Sequence, residues 1–136
     1  MTQSGINEPM RRRNQYLSIQ QQKINRSLIT QSDLLHQLDP DVHDFSTIQE
    51  LYLDSNHNSR ANHHWFMVYP KEHYVTPSWT RSLILVNRWL ASNTWSQVDI
   101  YLSDVMAIAI NTGIGKVLLI NMYNDMGQQH SLMCSI

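Results

Sequence analysis

The first fifty residues carry two strand-like segments with a helical segment between them. Residues 16–21 and 45–49 alternate between apolar and polar positions, which is the period of a β-strand. Between them, leucines recur on one face at helical spacing: Leu28, Leu35 and Leu38, with Leu34 beside them. Ser27 is a suitable N-cap, and Asp39 ends the helix because a residue before proline avoids the helical region. Strand, helix and strand in this order predict a crossover onto a parallel partner.

Further strands are predicted in the second half of the chain. Residues 65–69 form a short apolar run, residues 81–87 suit a strand buried on both faces, and residues 95–100 are a weaker candidate. The clearest pair is a β-hairpin of residues 104–111 and 116–123, because its connector supplies two glycines for a tight turn. These elements predict an α/β protein with many strands and few helices. We expect one unit over residues 15–136, preceded by a disordered polar tail over residues 1–14.

Composition narrows the class of protein. The 136 residues are 42% hydrophobic, which suits a globular core, and the net charge of -1 provides no global positive field for nucleic acid. The single Cys134 excludes a disulfide within the chain, and no apolar run approaches the length of a membrane span. An intracellular location is therefore expected. The arginines at 11–13 allow either a nuclear address or phosphate contact, or simply a solvated tail.

Four motifs, each at the end of a predicted strand, carry a resemblance to a known family. They are QQKINRS at 21–27, IQE at 48–50, RSLILVN at 81–87 and INMYND at 120–125. Their order and spacing resemble the N-terminal half of the endonuclease/exonuclease/phosphatase domain of fungal LINE-type non-LTR retrotransposons. The segment RANHHW at 60–65 is similar as well. Each motif is weak alone, and the specificity lies in the ordered set.

The resemblance implies a DNase I-like four-layer α/β sandwich, in which two mixed, largely antiparallel sheets face each other with helices outside. The likeness covers roughly half of that domain, so we expect a partial, truncated fold. An apolar sheet face without its partner promotes association. Self-association through such a face is therefore expected.

The same resemblance implies a phosphodiesterase that nicks DNA with the help of Mg²⁺. A hard cation held by oxygen ligands neutralises the phosphate during in-line displacement. Glu50 matches the family's metal-binding glutamate, and Tyr123 matches the tyrosine whose hydroxyl contacts the scissile phosphate. Asn25 aligns with the second asparagine of the family's first motif and joins Tyr123 as a candidate catalytic residue.

Two departures from the family pattern predict that this chain is inactive as a nuclease. Lys23 stands where the family usually has asparagine, and an ammonium there would repel a metal ion, although it can pair with phosphate as a point charge. The family carries its Asp-x-Asn and Ser-Asp-His motifs further along the domain, beyond the position that Ile136 occupies in the resemblance. Without a placed general base, roughly 10²–10⁴ of rate is lost.

Other classes of function compete with this interpretation. One is a non-functional remnant of a mobile element. Another is a non-catalytic module whose aromatic and basic side chains bind single strands: Trp65, Trp79, Trp89 and Trp95, with Arg60, Arg81 and Arg88. Five histidines between residues 43 and 73 fit no familiar zinc pattern, and we expect them to lie in a solvated loop.

Overall fold

The chain is a mixed α/β protein with two sheets and few helices, as predicted. The computed structural model describes residues 17–123 and the backbone of residues 129–135. The predicted tail over residues 1–14 therefore lies outside the described residues.

The first sheet contains four strands in the order β1-β2-β4-β3. Their bounds are β1 Ile19–Lys23, β2 Phe45–Gln49, β3 Trp65–Val68 and β4 Ser82–Asn87. The first two strands run parallel, which confirms the predicted crossover, and the last strand pairs antiparallel with both of its neighbours. Strand β1 lies later than predicted, because its ladder with β2 continues to the pair Lys23 and Gln49.

The helix α1 spans Leu28–Gln37 and begins at the predicted cap. The Ser27 hydroxyl accepts a hydrogen bond from the Thr30 N–H at 3.1 Å, which satisfies one of the unpaired donors of the first turn. After the helix, the backbone N–H of Leu38 bonds to the Leu34 carbonyl at 2.9 Å.

The buried face of α1 differs from the predicted leucine stripe. Leu34 and Leu38 are buried, but Leu28 is 36% exposed and the fully buried residue of this face is Gln31. The Gln31 amide group donates to Ser59 Oγ and to the Arg60 carbonyl, both at 2.7 Å, and its oxygen accepts from the Tyr52 N–H at 2.8 Å. Gln31 thus fastens the helix to the loop that follows β2.

The second sheet is antiparallel, with its strands in chain order. It contains β5 Trp95–Gln97, β6 Val105–Thr112, β7 Gly115–Tyr123 and β8 Gln129–Ser135. The predicted hairpin is confirmed: Thr112 pairs with Gly115, whose φ of 136° favours glycine. Strand β5 is shorter than the predicted 95–100. Two short 3-10 helices, Lys71–Tyr74 and Pro77–Trp79, lie between β3 and β4.

Two hydrophobic clusters define the layers. One lies between α1 and the first sheet: Ile24, Leu34, Leu38, Ile48, Leu51, Trp65, Leu83 and Leu85. The other joins the facing sheets: Phe45, Val68, Ile84, Val86, Met106, Ile108, Ile110 and Leu119. Successive residues of a strand face opposite sides, so β2 and β4 contribute to both clusters. The described residues thus form three layers, in the order helix α1, first sheet and second sheet.

A polar residue also joins the two sheets. Asn121 of β7 is fully buried, and its amide group donates to the carbonyls of Ile48 and Leu83 at 3.1 and 2.9 Å. Its oxygen accepts a hydrogen bond from the Gln49 side chain. These bonds hold the C-terminal part of β7 against the C-terminal end of β2. The next residues along both strands carry the candidate site.

Candidate functional site

Glu50 directly follows β2 and has a left-handed backbone. Its φ is 52°, and Asn25 and Arg26, which follow β1, have φ values of 56° and 59°. The two strand ends are joined directly, because the Arg26 N–H donates to the Glu50 carbonyl at 2.7 Å. A left-handed backbone is unfavourable for residues other than glycine, and such conformations gather at functional sites. Three of the four non-glycine residues with positive φ among the described residues lie in this region.

The structure brings Glu50 and Tyr123 together. Tyr123 is the last residue of β7, two positions after Asn121, and its hydroxyl donates to Glu50 Oε2 at 3.4 Å. The bond is long and therefore weak. The Tyr123 backbone is held by its N–H bond to the Asp104 carbonyl at 2.8 Å. The two candidate side chains come from separate sheets and are in contact with each other.

Lys23 forms an ion pair with the same carboxylate. Its Nζ lies 3.2 Å from Glu50 Oε1, with the two side chains 35% and 19% exposed. The parallel register explains the contact, because Lys23 lies opposite Gln49 and both strands end at the same edge. Both carboxylate oxygens therefore have a partner: the ammonium on one and the phenol on the other.

Asn25 lies at the same edge but does not join this group. It occupies the turn after β1, and its side chain is exposed. Among the contacts of residues 17–123, none connects the Asn25 side chain to Glu50 or Tyr123. Of the three candidate site residues, Glu50 and Tyr123 are therefore in contact, and Asn25 lies nearby without contacting either side chain.

Arg81 completes the group, and its place there was not predicted. Its guanidinium carbon lies 5.4 Å from the centre of the Tyr123 ring, within the range of a cation–π contact. The Glu50 N–H donates to the Arg81 carbonyl at 2.7 Å. Strands β2 and β4 are antiparallel, so the residue that follows β2 lies beside the residue that precedes β4. The pairing of β2 with β4 would have revealed this neighbour, but the sequence alone does not show that pairing.

A cleft of about 520 Å³ opens beside this group. Its lining includes Arg81, the acidic residues Glu72 and Asp104, and the aromatic residues Trp79 and Tyr101. Trp79 and Tyr101 are 68% and 64% exposed. Two accessible aromatic rings therefore lie at a cleft that shares an arginine with the Glu50–Tyr123 pair.

The residues of the site do not fit a magnesium ion as they stand. Mg²⁺ requires near-octahedral oxygen ligands, and among the described residues Glu50 is the one carboxylate that accepts a hydrogen bond from the Tyr123 hydroxyl. No group of three or more His, Cys, Asp or Glu side chains in the described part of the chain could hold a metal ion. An ammonium about 4 Å from a divalent ion would be repelled by about 2–8 kcal/mol, depending on how much water lies between them.

The tryptophans do not form the single surface that one alternative requires. Trp65 is 1% exposed, and Trp95 packs against the cluster between the sheets. The exposed Trp79 and Trp89 lie beyond opposite ends of β4, whose flanking residues 81 and 88 are roughly 23 Å apart along an extended strand. This correction follows from burial, which composition does not reveal.

The histidines have separate environments. The His43 ring accepts from the Asp39 N–H at 3.0 Å, and the His63 and His64 rings lie 3.9 Å apart. His73, predicted to lie in a solvated loop, is instead 5% exposed and stacks on Tyr69 with 4.0 Å between ring centres. Burial lowers the pKa of His73 below its ordinary value.

Comparisons of the chain with family models, with curated proteins and with solved structures find no match. No helix of the described residues is long and apolar enough to cross a membrane.

Proposed function

We propose that this chain binds DNA through the phosphodiester backbone at the Glu50–Tyr123 site, and that it does not hydrolyse the bond. The class of site is that of the endonuclease/exonuclease/phosphatase domains which the sequence motifs resemble. A nuclear location would fit this role, and the arginines at 11–13 are a candidate address for it.

The observation that carries the proposal is the contact between Tyr123 Oη and Glu50 Oε2 at 3.4 Å. The two residues are 73 positions apart and come from different sheets. Their convergence supports the pairing of roles that the resemblance implies. The Asn121 bridge already brings these two strand ends together, so the support lies in which two side chains meet there.

The charges of the group suit a phosphate. Lys23 and Arg81 bring two positive charges to the Glu50 carboxylate, while Glu72 and Asp104 add two carboxylates to the lining of the adjoining cleft, so the phosphate contacts are assigned to Lys23 and Arg81 themselves and not to a positive field. A lysine ammonium and an arginine guanidinium both donate charge-assisted hydrogen bonds to phosphate oxygens. The Tyr123 hydroxyl adds a neutral donor when it exchanges its long bond to Glu50 for the phosphate.

The neighbouring cleft favours single-stranded DNA. Trp79 and Tyr101 expose most of their side chains at its lining, and an unpaired base gains affinity by stacking on such rings. Arg81 lines the cleft and contacts Tyr123, so a strand whose phosphate lies at the site would have its base near these rings.

The test is fluorescence anisotropy of a labelled twenty-nucleotide single strand, in chelator and over a range of salt. We expect saturable binding that weakens as salt rises. Arg81→Met is expected to weaken binding about tenfold, since one charged contact is lost. Lys116→Met is the matched control, because Lys116 is exposed near the opposite end of β7.

Equal effects of the two variants, or an absence of binding, would contradict the proposed site. Incubation with supercoiled plasmid and Mg²⁺ tests the second half of the proposal, and the plasmid is expected to remain supercoiled. Chelator-sensitive nicking that disappears in Glu50→Ala would show that the chain is an active nuclease.

A further inference from the structure

We propose that the Lys23 ammonium is the built-in cation of this site, so that phosphate binds without any divalent ion. The inference rests on the proposed function, but it makes a separate claim about metal ions. The family resemblance implies a magnesium ion at Glu50, but a lysine ammonium contacts the Glu50 carboxylate instead. The inference follows from this mismatch.

The position of the carboxylate is fixed by backbone contacts on both sides. The Glu50 N–H bonds to the Arg81 carbonyl and the Glu50 carbonyl accepts from the Arg26 N–H, both at 2.7 Å. The left-handed backbone at φ 52° directs the residue away from the course of β2. The carboxylate therefore lies beside the C-terminal end of β1, where a positive group can pair with it.

The charge at that place belongs to the chain itself. Lys23 Nζ lies 3.2 Å from Glu50 Oε1, so the ammonium already holds one of the two carboxylate oxygens that would be offered to a metal ion. Lys23 is the last residue of a strand held in register by five ladder pairs, and its backbone is therefore well placed to keep this contact.

The ammonium can still serve a phosphate. It carries three donors, and the Glu50 oxygen uses one of them. The Lys23 side chain is 35% exposed, which leaves it accessible to a ligand. A phosphate oxygen beside Lys23 would receive one of the two remaining ammonium donors, and the Tyr123 hydroxyl would serve it by giving up its long 3.4 Å bond to Glu50.

The first experiment measures Mn²⁺ binding by electron paramagnetic resonance in the absence of nucleic acid. It compares the wild-type chain with Lys23→Asn, which replaces the ammonium by a neutral oxygen ligand. Lys71→Asn is the matched control, because Lys71 forms a comparable ion pair with Asp99 at 3.4 Å and is 36% exposed. We expect Lys23→Asn to bind Mn²⁺ at least about tenfold more tightly than both other proteins.

The second experiment measures oligonucleotide binding by the same three proteins. In chelator, Lys23→Asn is expected to lose about tenfold in affinity, and Mn²⁺ is expected to restore it, while Lys71→Asn follows the wild type. Circular dichroism and the urea midpoint verify that each variant folds. Lys23→Met is a second variant that removes the charge without adding a ligand, and Mn²⁺ should not restore its binding.

The two claims fail in different ways. If the wild type binds Mn²⁺ as tightly as Lys23→Asn, Lys23 is not the built-in cation, even where DNA binds in chelator. If Lys23→Asn gains Mn²⁺ but no protein binds the oligonucleotide, the proposed function is wrong, and what stands is the exclusion of the metal ion by Lys23. An oligonucleotide affinity of Lys23→Asn that is unchanged in chelator also overturns the inference.

Discussion

Replacing Glu50 by glycine is expected to give a more stable protein than replacing it by alanine. The φ of 52° places Glu50 in the left-handed region, where a Cβ atom crowds the following carbonyl. Glycine has no Cβ and adopts this backbone freely. Elsewhere in a chain glycine is normally the less stable of the two, so the order of the two variants is diagnostic of strain.

The magnitude follows from what the two variants share. Both lose the contacts of the carboxylate with Lys23 and Tyr123, which are worth less than about 1 kcal/mol because the Lys23 and Glu50 side chains are 35% and 19% exposed. That loss cancels in the comparison. The left-handed backbone costs alanine about 1 kcal/mol that glycine avoids. We therefore expect Glu50→Gly to exceed Glu50→Ala by about 1 kcal/mol in free energy of unfolding.

Urea denaturation followed by circular dichroism measures this difference. The control pair is Asp33→Gly and Asp33→Ala in the exposed middle of α1, where glycine should be the less stable by about 1 kcal/mol. A result in which alanine is the more stable variant at both positions would refute strain at the end of β2. In either Glu50 variant, the further substitution Lys23→Met should no longer lower the free energy of unfolding through loss of this ion pair.

Four further outcomes are expected from the same structure. Gln31→Ala should lower the free energy of unfolding by about 2–4 kcal/mol in urea, because it leaves the partners of a buried amide without their bonds. Asn121→Asp should cost more than about 3 kcal/mol in the same assay, because a buried carboxylate would face two carbonyl oxygens, and an unchanged midpoint would disprove this bridge between the sheets. Burial lowers the pKa of His73 below 6.5, so its neutral ring favours folding above that pH and this contribution is lost as pH falls below it. His73→Gln should therefore show a smaller loss of stability between pH 7 and pH 5. Sedimentation velocity should show self-association through the outer face of the second sheet, where Leu118 and Ile120 are partly exposed, and a monomer at all concentrations would contradict it.

Features set by neighbours in the sequence were predictable. The Ser27 cap depends on the N–H of a residue three positions away, and the β6–β7 hairpin depends on its own two-residue turn. The parallel pairing of β1 with β2 also follows from chain order, because a helix separates them. Each of these predictions was correct without knowledge of the tertiary contacts.

Features set by distant partners were not predictable. Gln31 is polar and sits on the core face of α1, because the loop after β2 supplies a hydroxyl, a carbonyl and an N–H for its amide. His73 was assigned to a loop, but Tyr69 and Thr80 enclose it. The periodicity of apolar residues does not predict such tertiary partners.

The candidate site could be proposed only through the resemblance. Glu50 and Tyr123 have no local signal, since charged residues and tyrosines often end strands. The effect of Lys23 was expected as repulsion of a metal ion, and the structure adds that the ammonium pairs with Glu50 itself. Arg81 enters the group through the pairing of β2 with β4, which no local pattern encodes.

The most direct test of the site is a titration of ¹⁵N-labelled protein with a thymidine dinucleotide in chelator, followed by NMR. The account predicts that the largest shifts fall on the amides of Lys23, Glu50, Arg81 and Tyr123, and that they saturate together. Shifts confined to other surfaces, such as the turn at Gly113 and the far edge at Trp89, would show that the phosphate binds elsewhere and would contradict the central claim.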